Sequence, residues 1–334
     1  MKILIVTGIY PPEIGGPAEY AYNLAETWKK DGHIVTVKIF GKFQKIPWGI
    51  RHIVFLFYIV PSVWKADCIF ALDAFSAGVV TVVAKLFSKI IIFRTGGDTL
   101  WEFYVERTGD LVLLREFYKT RFSNLNFKEK ILFHLMRWTL QNLSAVIWST
   151  EWQKDIFMEP YKLNNQKHFI VENYYGQRMS SSLPVSKTFV GATRNLKWKN
   201  LSLLKNVFQD KRVVESDAKL DLNSLPHKDF LEKIKNSYAV IIVSLGDISP
   251  NTILDAIKLG KPFILTKETG LYDRIKDIAI FVNPQDIEDV KEKVIWLSDD
   301  ENYKFQMKKI ESFTFTHTWD DIGKEYIDVY KKIS

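Results

Sequence analysis

Two carboxylates and a set of helix amides follow the predicted strand Ala239–Val243. Asp247 lies in the loop after that strand, and Asp255 lies eight residues later, within a predicted helix. The amides at the start of that helix fall between them, at Ser249, Asn251 and Thr252. Carboxylates accept hydrogen bonds from ribose hydroxyls, and amides at a helix amino terminus bind phosphate. The segment predicts a nucleotide site; alternatively, Asp247 is only a helix cap and Asp255 a surface residue.

A basic loop follows another predicted strand, which ends at Gly191. The cations Arg194, Lys197 and Lys199 come within the next eight residues. Cations at the carboxyl end of a parallel strand are well placed to bind a diphosphate. The loop therefore predicts a second part of the nucleotide site, and the alternative is an ordinary solvated basic loop.

The loop Gly8–Gly16 follows the first predicted strand and precedes a helix that begins at Pro17. Its final pair, Gly15 and Gly16, would let the backbone approach an anion at the helix amino terminus. A plain strand-to-helix turn explains the same residues. The loop lacks the Gly-x-Gly-x-x-Gly fingerprint of dinucleotide-binding folds, which disfavours a nicotinamide-dependent oxidoreductase.

Short apolar runs alternate with helical patterns along the chain, which is typical of parallel strand–helix–strand units. The predicted strands are Ile3–Val6, Ile34–Ile39, Cys68–Leu72, Ile90–Phe93, Ala145–Trp148, Phe169–Val171, Thr188–Gly191, Arg212–Glu215, Ala239–Val243, Pro262–Leu265 and Ala279–Val282. The predicted helices are Pro17–Asp31, Ile50–Trp64, Phe75–Phe87, a helical region 99–142, Trp152–Glu159, Asn200–Phe208, His227–Asn236, Pro250–Leu259, Asp286–Leu297 and Asp320–Lys332.

The length of 334 residues suggests about two domains. The single cysteine, Cys68, excludes a disulfide framework and a cysteine-rich metal site. A polar stretch with glycine, serine and proline, Glu172–Ser186, reads as a linker. We expect an α/β chain with two Rossmann-like, doubly wound parallel-sheet domains. The predicted parts are a first domain at 1–172, a linker at 173–186, a second domain at 187–315 and a final helix at 316–334.

The net charge is +7, and residues 1–171 carry most of it, with 21 Lys and Arg against 15 Asp and Glu. Part of this excess lies in the aromatic-rich segment 107–137. Its cations are Arg107, Arg115, Lys119, Arg121, Lys128, Lys130 and Arg137. Such a segment predicts contact with an anionic membrane surface. The alternative is a solvated helix face; nucleic acid is disfavoured because no recognition motif is present.

Two longer stretches carry a resemblance to a known family. The opening Lys2–Glu19, with Gly32–Val37, resembles the amino terminus of family 4 glycosyltransferases, which are retaining, use nucleotide-sugars and have the GT-B fold. Ala256–Pro262 and Thr266–Gly270 are similar to the family's donor-site segment. The resemblance covers essentially the whole chain. It implies two domains facing across a cleft and a final helix, 316–334, that crosses back to the first domain. It also implies a nucleotide-sugar co-substrate with no other cofactor and no metal.

The resemblance also implies roles for individual residues. Arg194 and Lys199 would neutralise the leaving diphosphate, and Asp247 would lie near the transferred sugar. Asp255 would bind the ribose, and Gly15 and Gly16 would lie near the donor phosphates and the acceptor. The catalytic candidates are thus Arg194, Lys199 and Asp247, and the donor-binding candidates add Gly15, Gly16, Ser249, Asn251, Thr252 and Asp255. The acceptor-binding candidates are Glu13, Arg94 and Asp98.

Three features of the chain depart from the family pattern. Asp247 and Asp255 stand where the family has glutamates, and Ala192 stands where it more often has arginine. The family often has a histidine after the fourth strand, whereas the segment Phe93–Trp101 contains none. Leaving-group stabilisation matters more than a side-chain base in this chemistry, so the missing histidine is tolerable.

The resulting expectation is a metal-independent retaining hexosyltransferase that acts on a glycan or lipid-linked acceptor in cell-surface polysaccharide or glycolipid synthesis. No signal peptide or membrane-spanning segment is apparent, so we expect a cytoplasmic protein, peripheral on the inner face of the membrane. The alternative is an inactive sugar-nucleotide or glycan-binding protein of the same fold, and a nicotinamide-dependent oxidoreductase is the disfavoured rival.

Overall fold

The computed structural model describes residues 1–13, 15–47, 49–163, 167–179, 184–191 and 194–334. The chain forms two compact units. Unit 1 contains Met1–Leu100, Leu125–Asn173 and His317–Ser334, and unit 2 contains Trp101–Asn124 and Tyr174–Thr316. Part of the predicted linker, 180–183, and the predicted departure at Ala192 lie outside the described residues.

Unit 1 is built on a six-stranded sheet in which every pair of neighbouring strands is parallel. The order across the sheet is β2-β1-β3-β4-β5-β6. Its central strands are buried on both faces, as parallel sheets covered by helices require. The strands are β1 (Lys2–Thr7), β2 (Ile34–Ile39), β3 (Cys68–Ala71), β4 (Ile90–Arg94), β5 (Ala145–Trp148) and β6 (His168–Ile170).

Two groups of helices cover this sheet. The first helix of the chain packs against the last, whereas the other four pack in a row, each against the next. Right-handed crossovers place the two groups on opposite faces, because the chain reverses direction across the sheet after β2. The helices are α1 (Gly16–Lys30), α2 (Ile50–Lys65), α3 (Ala74–Leu86), α6 (Phe127–Asn142), α7 (Glu151–Tyr161) and α15 (Trp319–Ile333).

Unit 2 contains a five-stranded parallel sheet in the order β11-β10-β9-β7-β8. The strands are β7 (Thr188–Gly191), β8 (Lys219–Asp221), β9 (Ala239–Ile242), β10 (Phe263–Thr266) and β11 (Ile280–Val282). The helices are α4 (Thr99–Thr108, which starts in unit 1), α5 (Leu114–Thr120), α8 (Leu201–Gln209), α9 (Lys211–Glu215), α10 (His227–Asn236), α11 (Asn251–Lys258), α12 (Tyr272–Ile275), α13 (Ile287–Ser298) and α14 (Asp300–Glu311).

The predicted fold class is confirmed, since both units are parallel α/β structures. The predicted strand at Arg212–Glu215 is wrong, because these residues form the helix α9. The Asp210 carboxylate caps that helix by accepting a hydrogen bond from the Arg212 amide. This local cap outweighs the β propensity of the valine pair, and the strand comes later, at Lys219–Asp221. Helices α12 and α14 were not predicted.

The final helix α15 is part of unit 1, where it packs on α1. A capping box between Thr318 and Asp321 starts it. The Tyr326 hydroxyl lies 2.9 Å from the Tyr20 hydroxyl, and the Trp28 indole donates a hydrogen bond of 3.0 Å to the Gly323 carbonyl. Within the described residues, no helix combines the length and the apolar character needed to cross a bilayer.

Residues 101–124 precede the predicted linker in sequence but pack within unit 2. The Leu114 amide donates a hydrogen bond of 3.1 Å to the Leu245 carbonyl, in the loop after β9. The next residue, Gly246, lies so close that an added Cβ would be 2.4 Å from the Leu114 Cβ. Trp101 and Trp198 place their ring centroids 5.5 Å apart. The loops of unit 2 therefore form a docking surface for this helical segment.

We expect Gly246→Ala to destabilise this docking, because its methyl group would overlap a Cβ that is fixed to the backbone. Overpacking of this kind costs about 1–3 kcal/mol, and urea unfolding would measure the loss. Gly8→Ala is the matched control, since its added Cβ would make ordinary contacts of 3.5 Å or more. Equal stability of the two variants would contradict the close packing at Gly246.

Candidate functional site

Three neighbouring strands of unit 2 bring their following loops to one edge of the sheet. Strands β10, β9 and β7 are adjacent and parallel, so their carboxyl ends meet at that edge. The loops are 194–200 after β7, 243–250 after β9 and 267–271 after β10. In open α/β sheets, ligands bind at this edge, which makes it the place to look for a site.

The predicted catalytic residues Lys199 and Asp247 meet here. The Lys199 ammonium lies 2.5 Å from an Asp247 carboxylate oxygen, and both side chains are only 11% exposed. The same oxygen accepts a hydrogen bond of 3.1 Å from the Ser244 hydroxyl. The ammonium also lies 4.2 Å from the centroid of the Trp198 ring. The sequence predicted the two charged residues; the structure adds that they form an ion pair with each other.

The loop after β10 holds the backbone of Asp247 in place. The Asp247 amide donates a hydrogen bond of 2.8 Å to the Glu268 carbonyl, and Asp247 pairs with Thr269 as an isolated parallel bridge. The Glu268 side chain is buried and accepts a hydrogen bond of 2.8 Å from the Arg115 guanidinium. Burial raises the pKa of Glu268, and the positive charge of Arg115 opposes that rise. A second ion pair therefore lies beside the first.

The docked segment 101–124 supplies part of this edge. Arg115 is on α5, and its partner Glu268 is on the loop after β10. On α4, Glu106 binds Lys197 twice: its carboxylate accepts from the Lys197 amide, and its carbonyl accepts from the Lys197 ammonium, both at 2.6 Å. With the Leu114 bond to the Leu245 carbonyl in the loop after β9, the segment contacts all three loops.

The other predicted donor residues of unit 2 lie on α11 and in the basic loop. Asn251 and Thr252 are the first two residues of α11, directly after Ser249 and Pro250. Their amides come before the first intrahelical bonds, as at any helix start. Asp255 lies in the middle of α11, where its carboxylate is 3.4 Å from His227 Nε2. Arg194 is exposed, and its guanidinium has no ion-pair partner among the described residues.

Unit 1 holds the remaining predicted residues. Gly15 precedes α1 with a φ of 155°, and Gly16 is the first residue of the helix. The Glu13 carboxylate accepts a hydrogen bond of 3.3 Å from the Tyr10 amide, which closes the loop. Asp98 is buried and accepts a hydrogen bond of 3.1 Å from the Leu100 amide at the start of α4. Asp98 also lines a small cavity with Thr95, Gly97, Thr99, Leu132, Met136, Phe157 and Tyr161.

Arg94 lies at the centre of a buried network in unit 1. Its guanidinium donates to the Ser149 hydroxyl at 3.1 Å and to the Asn173 side-chain oxygen at 2.6 Å. It also lies 3.8 Å from the centroid of the Tyr20 ring. The Asn173 carbonyl in turn contacts His317 Nδ1 at 3.1 Å. These contacts give Arg94 a structural role, joining β4 to α1 and to the segments 149–173 and 317.

Sequence reasoning missed several residues of this site. Glu268 occurs in a segment that carries the family resemblance, and Ser244 lies three residues before Asp247, but a serine or glutamate in a loop has no distinctive spacing that would select it. Arg115 falls in the basic, aromatic-rich segment 107–137, for which the sequence predicts contact with a membrane surface. Its proximity to Glu268, 153 positions away, is set by tertiary packing. Among the described residues, no cluster of three or more His, Cys, Asp or Glu side chains is arranged to hold a metal ion.

Solved structures resemble this chain over its full length. A sucrose-phosphate synthase from Thermosynechococcus elongatus is 11% identical, with a TM-score of 0.73, over 99% of this chain and 98% of that one. HepE from Anabaena, in complex with UDP, is 11% identical with a TM-score of 0.67, over 99% and 100%. The lipopolysaccharide outer core galactosyltransferase WaaB, in its apo form, is 12% identical with a TM-score of 0.65, over 99% of both chains.

This chain has the GT-B fold. The likeness at 11% to 12% identity shows the fold alone, and it extends over both parallel-sheet units. No family model matches the sequence. No curated protein matches it either.

We expect the stability of the GT-B chain to depend on the protonation of Glu268. Because the folded pKa is raised above the ordinary value of 4.5, the contribution of Glu268 to stability is fully present below that value. It is lost as the pH rises through the raised pKa. Glu268→Gln has no proton to lose and still accepts from Arg115, so wild type should become less stable relative to this variant over that window.

Urea unfolding from about pH 4.5 to about pH 7 would measure this difference. Glu215→Gln is the matched control, because Glu215 is exposed in the same unit. If the free energies of unfolding of wild type and Glu268→Gln differ by the same amount at every pH, the argument that burial raises the pKa of Glu268 is contradicted.

Proposed function

We propose that this chain is a glycosyltransferase that transfers a sugar from a nucleotide-sugar, with the donor bound at the carboxyl edge of the unit 2 sheet. The Lys199–Asp247 ion pair at that edge carries the proposal. It brings a cation suited to a diphosphate and a carboxylate suited to sugar hydroxyls within 2.5 Å of each other. The GT-B fold supports this reading, since HepE is described in complex with UDP and with UDP-glucose.

Lys199 is proposed to stabilise the leaving diphosphate. An ammonium has three donors, so Lys199 can bind a phosphate oxygen while it keeps or exchanges its contact with Asp247. Its low exposure strengthens the interaction with the charge that develops on the leaving group. Arg194, which is exposed in the same loop, supplies the second proposed cation.

Asp247 is proposed to orient the transferred sugar. Its carboxylate accepts from Ser244 and Lys199, and each carboxylate oxygen has more than one lone pair. It therefore retains acceptor capacity for a sugar hydroxyl. The amides of Asn251 and Thr252, with Ser249 before them, are proposed to bind phosphate, and Asp255 is proposed to bind the ribose.

The proposed reaction retains the configuration of the sugar, as in family 4 glycosyltransferases. The bond between the anomeric carbon and the phosphate oxygen breaks, and the acceptor oxygen bonds to that carbon on the same face. The acceptor proton passes to the leaving phosphate, whose new charge Lys199 stabilises. A histidine base is not needed in this scheme, which fits a chain that has none between Phe93 and Trp101.

The acceptor is proposed to be a glycan or a lipid-linked sugar in cell-surface polysaccharide or glycolipid synthesis, at the cytoplasmic face of a membrane. The candidates for its contacts are in unit 1, where Glu13 is exposed, Asp98 lines a cavity and Arg94 ends strand β4. Gly15 and Gly16, in the same unit, stay the proposed contacts for the donor phosphates. The donor is proposed to be a hexose linked to UDP.

A screen of UDP-, GDP- and dTDP-sugars, read by release of free nucleotide, tests the function. We expect turnover with one class of donor, and Lys199→Ala should lower it by about 10²-fold because the leaving group loses its cation. Lys205→Ala, an exposed lysine of the same unit, is the matched control and should leave turnover unchanged. Tight nucleotide binding with no turnover of any donor would favour the inactive binding protein instead.

The proposed ribose contact can be tested by calorimetric titration with the nucleoside diphosphate of the active donor. We expect Asp255→Ala to weaken binding by about tenfold or more, as expected for the loss of hydrogen bonds to a charged group. His227→Ala removes the imidazole beside Asp255 but no proposed contact with the nucleotide. The Kd of this variant for the nucleotide should therefore stay near the wild-type value. An unchanged Kd for Asp255→Ala would refute the ribose assignment.

A further inference from the structure

Helix α2 of unit 1 exposes an apolar stripe. Ile53, Phe57 and Trp64 are 60%, 71% and 62% exposed. Ile50 and Val54 are exposed as well, and Pro61 and Tyr58 continue the surface. These positions recur at intervals of three and four residues, so they line one side of the helix along its 16 residues. An exposed apolar surface of this extent marks an interaction site in a folded protein.

The core does not require this stripe. Phe55, Ile59 and Val63 form the buried side of α2, spaced four residues apart. They already anchor the helix on the sheet, and the exposed residues lie on the opposite side. The helix is therefore apolar on both sides, which packing within the described part of unit 1 does not explain.

The two helices next to α2 extend the apolar surface. Helix α3 packs between α2 and α6, and Gly78 of α3 lets Thr139 of α6 approach closely. On α3, Val82 and Leu86 are exposed one turn apart, and on α6 Leu135 and Trp138 are exposed. We define the lipid face as the exposed residues of these three helices.

The charges on the lipid face have one sign. Its three helices, which the structure describes completely, contain six lysines and arginines; Lys65, Lys85, Lys128 and Lys130 are exposed, and Arg51 and Arg137 are half-buried. The one carboxylate in the three helices is Glu129, which is buried in the capping box with Asn126. The next helix, α7, exposes Glu151, Asp155 and Glu159, so the basic character ends there.

We propose that the lipid face docks on the surface of an anionic phospholipid bilayer. Apolar side chains insert at the acyl boundary, with Trp64 and Trp138 suited to the interface, and the cations bind lipid phosphates. A protein partner would need an apolar surface of the same length, bordered by acidic side chains. An anionic bilayer presents an apolar layer and phosphate groups over its whole surface. The proposal extends beyond glycosyl transfer, since it concerns a surface made entirely by unit 1.

This surface differs from the predicted lipid-binding segment 107–137. The first part of that segment is docked on unit 2, where Arg115 pairs with Glu268 and Arg121 pairs with Asp110 at 2.5 Å. The second part, from Phe127, is helix α6 and belongs to the lipid face. The larger apolar contribution comes from α2, which carries no carboxylate.

Co-sedimentation with vesicles tests the proposal. Vesicles of phosphatidylcholine alone are compared with vesicles that contain about 30% phosphatidylglycerol, and we expect at least tenfold tighter binding to the anionic ones, weakened by salt. Ile53→Ser combined with Phe57→Ser and Trp64→Ser should lower that binding at least tenfold. Lys128→Glu combined with Lys130→Glu should do the same, since each surface cation contributes about fivefold.

Matched controls separate the lipid face from general surface effects. Val214→Ser with Phe305→Ser removes exposed apolar groups of unit 2, and Lys276→Glu with Lys308→Glu reverses exposed charges there. Both controls should bind vesicles as wild type does. Thermal unfolding followed by circular dichroism checks the fold of each variant, and the charge variant keeps the test decisive if the serine variant fails to fold.

Three results would overturn the proposal: no binding of wild type to anionic vesicles, equal losses in the controls, or self-association that the serine variant abolishes. Sedimentation velocity of wild type and of the serine variant measures the last of these and would make the face an interface between copies. Nucleotide release from the donor in solution should be unchanged in the lipid-face variants. Failure of this proposal is thus distinguishable from failure of the proposed function.

Discussion

The parallel pairing of β7, β9 and β10 is the constraint on which the candidate site depends. Parallel strands send all their carboxyl ends to one edge, so the loops after these strands become neighbours although they are separated along the chain. Lys199 and Asp247, 48 positions apart, form an ion pair because of this arrangement. The backbone bond from Asp247 to Glu268 adds the third loop, and the second ion pair follows from it.

The docked segment 101–124 changes how the charge of the chain is understood. The first half of the sequence carries most of the net positive charge, which suggests one basic surface. The structure divides those cations. Arg115 and Arg121 are paired with carboxylates in unit 2, and Arg94 is buried in a network of polar groups and a tyrosine ring. The cations of α2, α3 and α6 lie on helices that expose no carboxylate.

In this chain, buried polar groups stabilise the fold, whereas exposed apolar groups indicate a binding surface. A buried arginine such as Arg94 needs several partners because its desolvation is costly, and it finds them in Ser149, Asn173 and Tyr20. An exposed tryptophan such as Trp64 does not disturb the fold, but its apolar ring is in contact with water. The first pattern explains how unit 1 holds its sheet, and the second explains why a lipid surface is proposed for its helices.

The amino-acid sequence was sufficient to predict the fold class and to select both residues of the central ion pair, but not their pairing. Apolar runs separated by helical periods specify parallel strand–helix units, because each strand must be buried on both faces, and the basic and acidic loops after two such strands pointed to Lys199 and Asp247. Near Arg212 the same reasoning failed, since a local Asp210 cap outweighed strand propensity. Tertiary packing, by contrast, places residues 101–124 in unit 2, pairs Arg115 with Glu268 and leaves one apolar side of α2 exposed. These facts depend on contacts between distant parts of the chain, and neither composition nor periodicity records which side of a helix a neighbour will cover.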